Sequence, residues 1–110
     1  MVTLRLYMLQ RVTALIMAPL TLGHIGVMIY AVQGGLTAGE ILARTQGSIG
    51  WFAFYGLFVV AVAMHAAIGL RTILFEWVRL DGRGLDVVAW GIFLLLLGLG
   101  MRAVIGVTWI

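Results

Sequence analysis

Two histidines and one arginine stand where a sequence rarely places ionisable groups. His24, His65 and Arg102 each fall inside a long apolar stretch. An ionisable side chain in hydrocarbon costs about 2.5–3.5 kcal/mol for Arg on insertion scales, so each asks for an explanation. Imidazole is the mildest of the three, because its neutral form can be buried and still ligate a metal. His65 lies six residues before Arg71, which at about 1.5 Å per residue puts it roughly 9 Å inside the border that this arginine marks. Helical spacing surrounds it with Phe58, Ala61, Val62, Ile68, Gly69 and Thr72. Ala61 and Gly69 leave space beside the ring, as a flat macrocycle requires. The plainer alternative is a histidine hydrogen-bonded to the next helix, with Gly69 serving close packing.

His24 stands thirteen residues beyond Arg11, roughly 20 Å from the same border, so the two histidines sit at different depths. They are not expected to clamp one metal ion from opposite sides. Arg102 lies sixteen residues past Asp86, about 24 Å away, where its simplest role is to snorkel to the far interface beside Trp109. Arg11 follows Tyr7 and Gln10 and precedes Thr13. With Arg71 it forms either a clamp for carboxylates or the polar mouth of a quinone head group. The alternative is ordinary anchoring by positive charge at a membrane border.

The elements that carry these residues follow from composition. Of 110 residues, 64% are hydrophobic and 10% charged, without Cys and with one Pro. A soluble domain would hold roughly 45–50% apolar and about 25% charged residues, so the excess must face lipid. A spanning helix needs about 20 apolar residues, and three stretches qualify, at about 9–32, 49–75 and 87–110. The expected fold is all-α, a single transmembrane domain of three helices. The first stretch is too long for a secretion signal and has no small-residue cleavage site. The net charge of +3 reflects topology and not nucleic-acid binding. Arg5, Arg11, Arg71, Arg79 and Arg83 gather at one side, against Arg44 offset by Glu40 at the other, which puts the amino terminus in the cytoplasm. Without Cys, the chain holds no disulfide and no thiolate-bound iron–sulfur cluster of its own.

Between the spans, Thr37 and Glu40 have the spacing of a capping box and predict a short helix on the membrane surface. Pro19 is expected to bend the first span. Tyr30, Trp51 and Tyr55 suit an outer aromatic belt, and Glu76, Trp77 and Arg79 an inner one. Asp86 is expected in the first turn of the third span, where the helix dipole favours an anion.

The segment LYMLQRVTAL, the segment AMHAAIGLRTILFEW and the three-helix plan together resemble a membrane-anchor subunit of Complex II. That family comprises succinate:quinone oxidoreductases and quinol:fumarate reductases. Its cytochrome b subunit reads His-x-x-x-Gly-x-Arg at the second place, matched by His65, Gly69 and Arg71. At the first place it reads Ser-x-x-His-Arg-x-Ser/Thr-Gly. Arg11 and Thr13 fit, whereas Tyr7, Gln10 and Ala14 replace the Ser, His and Gly. The resemblance implies that His65 is an axial ligand of a haem b, the other ligand coming from a second membrane-anchor subunit. Arg11, Arg71 and Thr72 would lie on the propionate side, and Tyr7 and Arg11 at the mouth of a site for ubiquinone or another quinone. A second haem, served by His24 and Arg102, stands against a structural His24. An iron–sulfur subunit and a flavoprotein subunit would perform the dicarboxylate chemistry of the tricarboxylic acid cycle, leaving this chain non-catalytic. The implied location is the bacterial inner membrane.

Rival readings find less in the residues. A small multidrug exporter uses four helices and an acidic residue in the first, and the first span here has neither Asp nor Glu. A proton-channel subunit would need a buried carboxylate, which no span supplies. A haem-free structural anchor remains as the alternative.

Overall fold

The structure, a computed structural model, describes residues 4–109. Four α-helices follow one another: α1 (Leu4–Gly34), α2 (Ala38–Thr45), α3 (Ile49–Ile73) and α4 (Gly82–Thr108). A π-helical turn, Leu74–Val78, continues α3, and Arg79 ends it in a left-handed conformation at φ 64°. Helix α1, helix α3 with its π turn, and helix α4 hold 31, 30 and 27 residues and are apolar enough to cross a membrane. The chain is an all-α, multi-pass membrane protein.

All three spans run past the ranges that hydropathy alone suggests. Helix α1 begins at Leu4 and passes through Pro19 without a break, and that proline is exposed. At about 1.5 Å per residue, α1 is roughly 46 Å long, so it tilts or stands clear of a hydrocarbon core about 30 Å thick. Helix α4 starts at Gly82, five residues before the apolar run. Leu85, 1% exposed, is the reason: its burial pins a first turn that the two glycines before it would not hold by propensity. Asp86 therefore sits beyond the first turn, which contains no acidic residue. The expected dipole role does not apply to it. Residue 110 lies outside the described residues.

Helix α3 is the middle of the bundle, with α1 along one side and α4 along the other. Its buried residues are Ala61, Ala63 and Ala67. Lipid tails are as apolar as leucine, so helices in a bilayer associate through close backbone approach, which small residues allow. Gly100 of α4 marks the tightest place, where a Cβ would stand 2.5 Å from Val59 Cγ1. Leu15, Leu22, Leu94 and Leu95 instead point outward, the arrangement lipid favours.

The connection between α1 and α3 is structured. Thr37 accepts from the Glu40 amide while the Glu40 carboxylate accepts from the Thr37 amide and hydroxyl, completing the capping box of α2. Arg44 donates to Gly35 O at 2.8 Å and lies over the Tyr30 ring. Thr45 Oγ1 donates to Val107 O, and Gly47 N to Thr108 O. The short helix thus ties the end of α1 to the end of α4.

Candidate functional site

Helix α1 presents Thr13 to helix α3 at the level of His65. Thr13 is 3% exposed, and its Oγ1 lies 3.2 Å from His65 Nδ1. The other ring nitrogen, Nε2, makes no hydrogen bond among the described residues. Nor is it a buried orphan, since the one buried side-chain N or O atom without a partner among them is Gln10 Oε1. Nε2 therefore reaches the surface of the bundle with its bonding capacity unspent. The space expected beside the ring at Ala61 and Gly69 is taken up by helix packing, as in the plainer reading of these residues. Ala61 is buried beside the imidazole's own helix face, and the place of a Cβ on Gly69 would meet the Gln10 amide at 3.4 Å. Gly69 thus admits α1 close to α3, one turn beyond His65.

An imidazole with one nitrogen anchored and the other open fits an axial haem ligand. Among the described residues no three His, Asp or Glu side chains gather as a metal site. His65 accordingly offers one bond. Gln10, one helical turn before Thr13, sets its amide nitrogen against Gly69, and its orphaned Oε1 adds a polar atom still short of a partner on the same side of the bundle.

Below this point the three spans enclose a cleft of about 250 Å³, lined by Leu6, Leu9, Ile68, Arg71, Trp90 and Phe93 among others. Arg71 pairs with Asp86 across it at 3.2 Å, the arginine 17% and the carboxylate 60% exposed. Asp86 and Trp90 were not legible as site residues in the sequence. The signal available was the opposite charge of Arg71 and Asp86 on either side of a tight helical hairpin. Thr72 donates its hydroxyl to Ile68 O at 3.1 Å, which leaves its oxygen lone pairs as acceptors.

Tyr7 and Arg11 belong to one another: Arg11 Nη1 donates to the tyrosine oxygen at 3.4 Å, and its guanidinium lies 5.7 Å from the ring centre. Both are exposed on α1, and neither lines the cleft. The expected pairing of Arg11 with Arg71 is thus divided, each arginine having its own partner.

His24 is not brought to His65. Its ring packs on Phe58 at 5.2 Å and edge-on to Tyr55 at 6.2 Å, and Gly23 beside it leaves room for Phe54. Arg102 is exposed on α4, and no contact joins it to His24 among the described residues. The aromatic seat gives His24 the packing of a structural histidine.

A family model described as the succinate dehydrogenase/fumarate reductase transmembrane subunit matches residues 1–101. No curated protein and no solved structure matches the chain.

Proposed function

The chain belongs to the succinate dehydrogenase/fumarate reductase transmembrane-subunit family, and from that premise we propose that it is a cytochrome b anchor holding a haem b through His65 Nε2. The observation that carries this reading is the asymmetry of the His65 ring, tied to Thr13 at Nδ1 and open at Nε2. A second anchor subunit would supply a further histidine. Bound there, the haem supplies one-electron transfer between the iron–sulfur subunit and the quinone pool.

The residues of this chain do the rest by position and charge. Arg71, Thr72 and Arg11 border the inner end of the site, where guanidinium groups suit propionate carboxylates. The cleft beneath Arg71 and Trp90 is apolar enough for a quinone ring and the first part of its tail, with a polar group at one edge to orient a carbonyl. Tyr7 and Arg11 form a second polar patch on the exposed face of α1, outside the cleft. Reducing a quinone to a quinol takes two electrons and two protons. The protons reach the ring oxygens from the cytoplasmic side, which the arginines mark. The dicarboxylate reaction belongs to a flavoprotein beyond the iron–sulfur subunit, and the membrane is the bacterial inner membrane.

Purifying the assembled complex through a tag on this chain tests the reading. Flavoprotein and iron–sulfur subunits are expected to accompany it, together with a b-type α band in the dithionite-reduced spectrum. Partners without a band would leave a haem-free anchor. A chain that purifies without either partner would remove the proposal altogether.

A further inference from the structure

Resting on the reading of His65 as a haem ligand, we infer that Thr13 is the positioning residue that decides which imidazole nitrogen faces the iron. A count of hydrogens at one oxygen leads there. Thr13 Oγ1 lies 2.8 Å from Leu9 O, 3.0 Å from Gln10 O and 3.2 Å from His65 Nδ1. A threonine hydroxyl has one proton, and a carbonyl oxygen can only accept. The proton is therefore spent on the preceding turn of α1, as it is when a mid-helix threonine bonds back to its own backbone. What faces Nδ1 is an oxygen lone pair.

The consequence falls on the ring. With an acceptor at 3.2 Å, Nδ1 carries the proton of neutral imidazole, and Nε2 keeps the lone pair that a metal needs. Nε2 is also the nitrogen left open at the bundle surface. Thr13 is buried, so water does not replace it as acceptor. The backbone carbonyls that hold its hydroxyl belong to a regular helix, so the lone pair is fixed in direction. Partners of this kind orient a ligating histidine and make it a better donor, and losing one typically costs 10–100-fold in metal affinity or activity.

Better donation favours ferric over ferrous iron, so removing the acceptor should raise the haem midpoint potential. In the purified complex, Thr13→Val keeps the side-chain shape and deletes the oxygen. A roughly tenfold loss of the ferric preference corresponds to a rise of about 59 mV for a one-electron couple, read by potentiometric titration of the α band. Altered low-temperature EPR g values of the ferric haem should accompany it, because the ring is free to turn. Thr13→Ser, which retains the hydroxyl, is expected to return both to wild-type values, a rescue that a packing role for the methyl group would not give. Should the valine variant fail to assemble, Thr13→Cys, of similar shape but a weaker acceptor, is expected to shift the potential in the same direction by less. Unchanged potential and g values in whichever variant assembles overturn the inference about Thr13. A wild-type complex whose band is absent, or indifferent to His65→Ala, removes the ligand reading instead.

Discussion

At the scale of single residues, the weight rests on His65, Thr13 and Arg71. The cost of placing an ionisable group in hydrocarbon was enough to single out His65, and helical spacing gave its small neighbours Ala61 and Gly69. Its partner Thr13 stood in the sequence only as one position of a resemblance, because a contact between residues 52 apart has no local signature. Arg71 is 17% exposed and tied to Asp86, so it is held in place beside the cleft. Hydrogen bonds to a charged group are worth about 1.5–3 kcal/mol. Arg71→Gln is therefore expected to raise the KM for quinone roughly ten- to hundredfold, while succinate oxidation by a soluble dye, which bypasses the membrane site, stays unchanged. Equal loss in both assays would mean that Arg71 supports assembly and not the quinone.

At the scale of elements, hydropathy located the three spans and misplaced their ends. The start of α4 depends on the burial of one leucine, Leu85, and the two glycines before it, Gly82 and Gly84, disguise the helix as a turn. The closeness of α3 and α4 is set by Gly100 against Val59. Val59 is β-branched and stiff, so it has little freedom to give way. Gly100→Ala is expected to cost about 1–3 kcal/mol through overpacking, seen as a lower thermal midpoint of the purified complex, and a second change, Val59→Ala, should recover part of it. Helix α2 carries a pH dependence. The Thr37 hydroxyl bond, then the Thr37 amide and nearby Arg44, hold the Glu40 carboxyl below its usual pKa of 4.5. A carboxylate lowered in the folded state adds stability above its unfolded pKa and loses it as pH falls through the folded value. With the intrinsic pH dependence of exchange divided out, the protection of the Thr37–Glu40 amides should therefore fall below the ordinary carboxylate range and be flat across neutral pH. Glu40→Gln should remove the dependence.

At the scale of the whole molecule, the charge asymmetry and the bundle geometry combine. One end of the bundle holds the cleft, Arg71 and the Tyr7–Arg11 pair, and the other end is closed by α2. The absence of cysteine makes a topology test clean. Asp81 caps α4 without a side-chain hydrogen bond, and Ala43 is exposed on α2. Asp81→Cys should react with a membrane-impermeant maleimide only in inside-out vesicles, and Ala43→Cys only in right-side-out ones. The reverse pattern would put the cleft on the wrong side for an iron–sulfur subunit. Membership of the family already implies association with other subunits, so much of the lipid-facing surface seen in the isolated chain is the ground on which they dock.

The claim that His65 Nε2 binds iron is tested most directly by the reduced-minus-oxidised spectrum of the purified complex in three forms. Wild type and His24→Ala are expected to show the same b-type α band and the same ratio of haem to flavin, while His65→Ala loses or shifts the band. A His65→Ala complex that assembles with an unaltered band would contradict the account.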